Sequence, residues 1–182
     1  MAIAAGDIKF KLSIKTGAAG NSAAQTNVNE SLGKYISTTE ITDATLNNLF
    51  DDVSGDENAA NDVEYRCIFV HNAHASLTWT DVVAWLSAEV AGGAAMAIAI
   101  DDLPDSAIAA SDAQADLVAN ESTAPGAGVG AFSAPVTKGT GLALGDIAAG
   151  YCRAIWVKRT AANTVAVDND GATIRCEGDT AA

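Results

Sequence analysis

EYRCIFVHN, residues 64–72, is the stretch that decides the fold, because it is apolar on both faces between Cys67 and Val70. Such a strand is typical of the centre of a β-sandwich, where both faces of the sheet are covered. Residues 7–15, DIKFKLSIK, instead alternate apolar side chains with lysine and serine. This period of two predicts a strand with one buried and one solvated face, whose lysines would protect an exposed sheet edge.

Further strands are predicted outward from these two stretches. Each candidate segment is rich in β-branched, aliphatic or aromatic residues and is bounded by turn-forming residues. They are residues 35–41, 76–79, 82–90, 95–100, 142–144, 151–160 and 172–176. A helix over residues 81–89, capped by Asp81, is the alternative for the third segment, and Val82, Val83 and Trp85 favour the strand.

The intervening segments predict loops, turns and short helices. Residues 16–29 and the acidic residues 51–62 predict loops, and residues 43–50 predict one helical turn capped by Asp43. Residues 101–130 predict a long surface excursion, with a short helix at residues 107–118 as the alternative.

Three short signals predict where strands end. Thr80-Asp81 predicts a break between two strands, and Gly145-Asp146 predicts a turn. Asn169-Asp170-Gly171 predicts a tight hairpin before the last strand.

The resulting fold class is all-β. About seven to nine short strands follow one another, and the chain has neither a βαβ rhythm nor an internal repeat. We therefore predict one antiparallel β-sandwich or jelly-roll-like domain over residues 1–182, with long loops and one or two short helices.

Charge and composition exclude several function classes. The net charge of −13 comes from 10 basic and 23 acidic residues, and it opposes binding to nucleic acid and to anionic membranes. Charged residues make up only 18% of the chain. The surface must therefore carry many small or uncharged residues, as in a weakly charged soluble protein or in one covered by its neighbours.

The termini and the cysteines give no sign of a secreted or membrane protein. The first residues, MAIAAGDIKFK, lack the basic and apolar regions of a signal peptide, and no apolar run reaches the length of a membrane span. Cys67, Cys152 and Cys176 are widely spaced and odd in number, which predicts reduced, buried thiols.

Two clusters contain residue types that ligate metals. His71 and His74 have H-x-x-H spacing, and Asp62 or Asp81 would have to complete a zinc site; surface or turn histidines are the simpler interpretation. Residues 51–62 superficially resemble a calcium loop. The EF-hand pattern fails there, however, because Glu57 and Val63 occupy the positions that need Gly and Glu, so a solvated acidic loop is favoured over an irregular calcium site.

Other motifs are equally weak. Gly126, Gly128 and Gly130 lack the strand, helix and lysine of a phosphate-binding loop. Residues 29–31 and 120–122 fit the N-glycosylation triplet, which has no meaning without secretion.

The chain also lacks a pattern for covalent catalysis. It has no G-x-S-x-G motif, and Cys67, four residues before His71, is predicted to lie in the core. Trp79, Trp85 and Trp156 could stack on sugars, although tryptophans in strands are more often core residues. We predict a non-enzymatic protein with no catalytic, cofactor-binding or metal-binding residue.

Two stretches resemble structural proteins of tailed-bacteriophage virions. Residues 64–86, EYRCIFVHNAHASLTWTDVVAWL, resemble a strand-turn-strand segment of that family, and residues 141–161, GLALGDIAAGYCRAIWVKRTA, resemble a second one. Upstream, SLGKYISTTEI at residues 31–41 and LFDDVSGDE at residues 49–57 fit the same layout. Together these blocks cover about a third of the chain, and the motifs that they contain are structural.

The resemblance implies a role in the virion. It favours a capsid decoration, or cement, protein that binds the outside of the shell, contacts the major capsid protein or other virion proteins, and forms homo-oligomers. A tail, neck or baseplate component is the alternative within that class, and a carbohydrate-binding β-sandwich module with two exposed tryptophans is the alternative outside it. No cofactor, nucleic-acid or membrane partner is implied.

Overall fold

The computed structural model describes residues 2–19, 23–167 and 169–180. These residues form ten strands and one short α-helix, α1, at Gly55–Ala60. The strands are β1 (Ile8–Ile14), β2 (Gly33–Glu40), β3 (Val63–Asn72), β4 (Trp79–Glu89), β5 (Ala95–Ile100), β6 (Ser106–Ala107), β7 (Ala115–Leu117), β8 (Leu142–Ile147), β9 (Tyr151–Thr160) and β10 (Ala172–Thr180).

Two antiparallel sheets of unequal size pack face to face. The large sheet has seven strands in the order β5-β9-β3-β1-β2-β7, and β6 pairs with β9 beside β5. The small sheet has three strands in the order β10-β4-β8. The chain therefore folds as an all-β antiparallel sandwich, as its strand pattern predicts.

The predicted central strand does lie at the centre of the large sheet. β3 pairs with β1 on one side and with β9 on the other, so both of its edges are hydrogen-bonded. Its side chains alternate between two cores: Ile68 and Val70 face the small sheet, whereas Cys67 and Phe69 face away from it. Residues 67–70 are thus apolar without alternation because apolar layers cover both faces of the sheet at β3.

The inner core lies between the two sheets. From the large sheet it receives side chains of β1, β3, β5 and β9, and from the small sheet those of β4 and β8. The inward residues of β4 are Trp79, Val82, Ala84 and Leu86, all buried.

The outer core lies on the opposite face of the large sheet, beneath the excursion at residues 101–130. Leu103, Ala115 and Val118 of this excursion are buried against Trp156 of β9. β7, inside the excursion, pairs with β2 at Gly33, where an added Cβ would lie 1.7 Å from the carbonyl oxygen of Asp116. The excursion is therefore a third layer of the fold, containing β6 and β7, and the alternative helix at residues 107–118 is wrong.

The two sides of the sandwich end differently. On one side, Ser133 exchanges two backbone hydrogen bonds with Ile98 of β5, and the carbonyl of Pro135 accepts a hydrogen bond from the amide of Leu86 in β4. This segment ties the large sheet to the small sheet. On the other side, β10 is an edge strand paired only with β4 within the described part of the chain.

The prediction for β1 is wrong in one respect. Its lysines do not protect a sheet edge, because β1 lies between β2 and β3. Lys11 is also only 7% exposed, so the face predicted to be solvated is largely covered. Burial lowers the pKa of Lys11, and Glu40 across the β1–β2 pair opposes that shift.

The helix predictions are also corrected. Residues 43–50 form turns, with Ala44 and Asn47 at φ of 54° and 57°, which a helix does not allow. The helix forms instead in the acidic stretch, where Ser54 and Glu57 make reciprocal capping hydrogen bonds to each other's backbone amides. The sequence contains this capping box, S-x-x-E, at residues 54–57.

Two predicted chain breaks are irregularities inside continuous strands. β4 runs through Thr80-Asp81 and β8 runs through Gly145-Asp146, and the register between these strands shifts there. Asp81 has φ of 52° and Gly145 has φ of 75°, and the Asp146 carboxylate accepts a hydrogen bond from the amide of Asp81. The turn-forming residues thus produce a bulge rather than a turn.

The last predicted hairpin is likewise not formed. Asn169 does lie in a turn, with φ of 63°. However, β9 pairs in the large sheet and β10 pairs with β4 in the small sheet, so residues 161–171 cross between sheets. The Asp170 carboxylate fixes this crossing by accepting hydrogen bonds from the Ala94 amide and the Asn163 side chain.

The remaining loop agrees with its prediction where the structure describes it. Residues 16–19 and 23–27 are loop and bend, and a single 3₁₀ turn follows at Val28–Glu30. Residues 20–22 of the predicted loop lie outside the described residues. Across the described part of the chain, no helix has the length and apolarity needed to cross a bilayer.

Candidate functional site

A buried cluster of charges closes one end of the inner core. Arg66 of β3 and Arg159 of β9 are 0% and 6% exposed, and Glu64 of β3 is 8% exposed. The Glu64 carboxylate accepts hydrogen bonds from Nε of Arg159, at 2.7 Å, and from its Nη2. Arg159 also donates to the carbonyl and the carboxylate of Asp51, which binds residues 43–54 to the sheet.

The second arginine of the cluster binds a different loop. Arg66 Nη2 donates to the Glu121 carboxylate at 2.6 Å and to the Asn29 side-chain oxygen at 2.8 Å. Both guanidinium groups stack on Phe50, at 5.0 Å for Arg66 and 4.8 Å for Arg159. Burial raises the pKa of Glu64, and the two arginines oppose that shift. The cluster therefore holds three loops against the ends of β3 and β9.

A lone buried carboxylate holds the excursion on the outer face. Asp101 is 1% exposed. Its Oδ1 accepts a hydrogen bond from the amide of Leu103 at 3.0 Å, and its Oδ2 accepts from the amide of Asp116 at 2.9 Å and from Nε1 of Trp156 at 3.0 Å. Burial raises the pKa of Asp101, whereas the three donors oppose that shift. All three partners are neutral.

The two histidines do not form a metal site. His71 lies in β3 rather than in a turn and is 7% exposed, with its Nδ1 lacking a hydrogen-bond partner among the described residues. His74 lies in the following loop, and its Nδ1 accepts hydrogen bonds from the amides of Ser76 and Leu77. Within the described ranges, no three His, Cys, Asp or Glu side chains converge as a metal site requires.

The acidic stretch and the glycine series have structural roles. Residues 55–60 of the acidic stretch are helical, so they do not form the loop that a calcium site would need. Gly126 and Gly128 lie against carboxylates, because an added Cβ at Gly128 would be 2.9 Å from Asp102 Oδ1 and 3.1 Å from Asp116 Oδ1. Two carboxylates at this position would repel a phosphate.

Both glycosylation triplets have side chains that are engaged within the fold. The Asn29 side chain accepts from Arg66 and donates to the Asp51 carboxylate. The Asn120 side-chain oxygen accepts from the amide of Ser122 and the hydroxyl of Thr123.

The tryptophans are core residues, as predicted. Trp79 and Trp85 are each 6% exposed and Trp156 is fully buried. The sugar-binding alternative required two exposed indoles on one face, so the structure removes its basis.

Burial of the cysteines is confirmed for two of the three. Cys67 and Cys152 are buried in the outer core, and Cys176 on β10 is partly buried; all three are free thiols. Burial raises the pKa of Cys152 and of Cys176 to about 12, so neither thiol is activated as a nucleophile.

The open side of the sandwich contains a shallow groove under β10. Its volume is about 260 Å³. The N-terminal segment forms one wall, and the Ile3 amide donates to the Thr180 hydroxyl at its end. The lining residues are Ile3, Ala4, Ala5, Ile8, Phe10, Trp79, Cys176, Glu177 and Gly178. Sequence reasoning missed this feature because a strand's position at a sheet edge depends on its pairing with β4, about 90 residues away.

Exposed apolar side chains project from two loops that the buried clusters hold and from the segment that backbone hydrogen bonds of Ser133 and Pro135 fix to the sheets. Leu46 is 61% exposed in the loop at residues 41–54, Leu117 is 53% exposed at β7, and Val136 is 67% exposed after Pro135. These loops and the β10 edge are the candidate interaction surfaces. No protein-family model, curated protein or solved structure matches this chain.

Proposed function

We propose that this chain is a structural protein of a tailed-bacteriophage particle, and that it decorates the outside of the capsid shell. The observation that carries the proposal is that long loops are fixed to the sandwich by buried polar anchors while they present exposed apolar side chains. Loops fixed in this way lose little conformational entropy when they bind a neighbour.

The two stretches that resemble virion proteins contain the strands on which these loops are mounted. Residues 64–86 include most of β3 and of β4, and residues 141–161 include β8 and β9. Arg66 and Arg159, which anchor the loops, lie within these stretches. The net charge of −13 keeps the free chain soluble and favours a partner with a basic surface.

Cryo-electron microscopy of particles purified from the source of this chain tests the proposal. We expect density for the sandwich repeated over the icosahedral shell, with residues 101–136 or 41–54 in contact with the major capsid protein. Density confined to the tail, neck or baseplate would overturn decoration and retain the structural class. Absence of the chain from the particle would overturn both.

Substitutions in the exposed loops test directly whether their exposed apolar side chains contact the particle. Leu117→Asp and Val136→Asp each place a charge on an exposed apolar position. We expect both to reduce co-sedimentation of the purified chain with particles without changing its melting temperature. The matched control is Ser111→Asp, which adds the same charge to an exposed polar position of the excursion that contains Leu117. Equal retention of all three variants would show that these loops do not contact the particle.

A further inference from the structure

Among the described residues β10, Ala172–Thr180, pairs only with β4, so the backbone of its other edge is unpaired there. The Ile3 amide contacts this strand at its end, through the Thr180 hydroxyl. On the opposite side, Ser133 bonds to β5 and Pro135 bonds to β4, and the shorter strand β8 is the other edge strand of the small sheet.

Natural proteins block exposed edges with proline, lysine, bulges, inward-facing charge or very short strands. The two register shifts between β10 and β4 place the extra residue on β4, so β10 itself has no bulge. β10, ATIRCEGDT, contains neither proline nor lysine, and its inward-facing residues are uncharged.

The inward and outward positions of β10 are fixed by its burial pattern. Ala172, Ile174, Cys176, Gly178 and Thr180 are partly buried and alternate with exposed residues. The exposed, outward residues are Thr173, Arg175, Glu177 and Asp179. Charges of both signs therefore lie two residues apart on one face of an open strand.

From this pattern we infer that the β10 edge binds the β10 edge of a second copy of this chain, antiparallel and across a twofold axis at Cys176. In this register Arg175 of each copy is directly opposite Glu177 of the other, and Thr173 is opposite Asp179. The two small sheets become one continuous six-stranded sheet. The inference rests on the strand edge alone and does not depend on a role in the virion.

The charge pattern selects this register from its neighbours. Moving the axis to residue 175 places Arg175 opposite Arg175, and moving it to residue 177 places Glu177 opposite Glu177. Directly opposed like charges destabilise an antiparallel pair, whereas opposite charges stabilise it. A register shift by one residue, which places Cys176 opposite Arg175, would turn the partly buried face of one copy toward the solvent side of the other. The axis at Cys176 avoids both conflicts, and it also places opposite charges directly across the pair, whereas an axis at Ile174 would place Arg175 opposite Thr173.

Two features of the free chain are compatible with the pairing. Arg175 stacks on Trp85, with 5.7 Å between its guanidinium carbon and the ring, which holds it on the outer face. Glu177 accepts a hydrogen bond from Lys138 at 2.9 Å, and its side chain remains 47% exposed. The second carboxylate oxygen of Glu177 is thus free to accept a hydrogen bond from the partner's arginine.

A charge-swap series on the purified chain tests the inference. Sedimentation equilibrium of the unmodified chain up to about 1 mM is expected to give a mass approaching twice 18.4 kDa. Arg175→Glu and Glu177→Arg each create two like-charge pairs across the axis, so each is expected to weaken association by about tenfold. The double variant Arg175→Glu with Glu177→Arg restores both opposite-charge pairs and is expected to recover association.

The control is Asp112→Lys, which changes net charge as much as Glu177→Arg does, at an exposed position away from β10. It is expected to leave association unchanged, and melting temperatures of all variants check that they fold. Hydrogen exchange adds an independent readout, because the amides on the open edge of β10 should become protected as concentration rises. A monomer at every concentration would overturn the inference, and so would a dimer that the single reversals do not weaken or that the double variant does not recover.

Discussion

Two buried polar clusters fix loops to this sandwich, and they differ in the charge of the groups that surround the buried carboxylate. At one end of the inner core, Glu64 is paired with Arg159 and lies near Arg66, so buried charge meets buried charge. On the outer face, Asp101 is an anion whose bonded partners are two backbone amides and one indole. The comparison shows two ways to bury a carboxylate: neutralise it with cations, or surround it with neutral donors.

The difference predicts how much stability each cluster loses when its carboxylate is removed. A buried ion pair is costly to break because the remaining charge is left without a partner. A carboxylate held by neutral donors leaves only neutral groups behind when it is removed, so its loss costs less. The two clusters therefore differ most when one carboxylate is removed from each.

Glu64→Ala is expected to have the largest effect. Arg159 would keep only Asp51, whose side chain is 49% exposed, as a charged partner. We expect the free energy of unfolding to fall by about 4 kcal/mol, the usual range for a broken buried pair. Urea denaturation measures it. Glu30→Ala is the control, since it removes a carboxylate from the more exposed pair with Lys15, and it should cost about 1 kcal/mol.

Asp101→Asn is expected to be less severe. The amide keeps one acceptor oxygen, but it places an NH₂ group against N–H donors, and we expect a loss of about 2 kcal/mol. Asp102→Asn is the matched control, because it makes the same change at the adjacent exposed residue. A stability of Asp101→Asn equal to the unmodified chain would show that the desolvation cost of the carboxylate cancels its three hydrogen bonds.

The same variant predicts a pH effect of defined sign. Burial raises the pKa of Asp101 above its ordinary value of 3.8. Between pH 3.8 and the raised pKa of the native state, the native state binds more protons than the unfolded state. The contribution of Asp101 to stability therefore increases as pH falls through this range. The stability difference between the unmodified chain and Asp101→Asn should therefore widen toward pH 4, which urea titrations at several pH values would measure.

Trp156→Phe separates one donor from the rest of the Asp101 cluster. It removes the Nε1 hydrogen bond while keeping an aromatic ring in the outer core, and we expect a loss of about 1–2 kcal/mol beyond the change in volume. Trp85→Phe is the matched control, since Trp85 is nearly as buried and stacks on Arg175 without bonding a carboxylate. If both variants lose the same stability, the Trp156–Asp101 bond contributes little.

The sequence was sufficient for most of the strands and insufficient for these clusters. Residues 76–78, predicted as part of a strand, lie in the loop before β4, and β6 and β7 were not predicted. Period-two alternation and β-branched runs predicted β1, β3 and β9 closely, because those patterns are local. Asp101 and Trp156 are 55 residues apart, as are Arg66 and Glu121, so no local pattern joins them. Lys11 was predicted to be solvated because alternation identifies two faces of a strand but not a layer covering the second face.

Other errors have different causes. The helix α1 had a usable signal in Ser54 and Glu57, which was outweighed by the acidic, polar composition of its segment. The edge position of β10 had no usable signal, although its alternating outward residues were visible in the sequence. Edge or centre is a property of strand order, which depends on pairings with distant strands.

His71 is a third way of burying an ionisable group, and it sharpens the comparison, because it has neither a charge partner nor a bonded donor at Nδ1. Burial lowers the pKa of His71 from 6.5, Lys11 lowers it further, and Glu40 opposes the shift. Lys9 is its register partner on β1 and Cys152 its partner on β9. The histidine is therefore neutral in the native state at pH values where the unfolded chain already binds a proton.

The sign of the pH effect follows from this difference. The contribution of His71 to the free energy of unfolding is fully present above pH 6.5 and is lost as pH falls toward the native pKa of His71. Urea denaturation from pH 8 to pH 5 should show this loss, and His71→Phe, which has no proton to bind, should reduce it. His74→Asn, which keeps an acceptor for the loop amides, should leave the loss in place. If His71→Phe retains the full pH dependence, the loss of stability at low pH arises from another group. A lone buried base would then be as well tolerated here as a paired or hydrogen-bonded carboxylate.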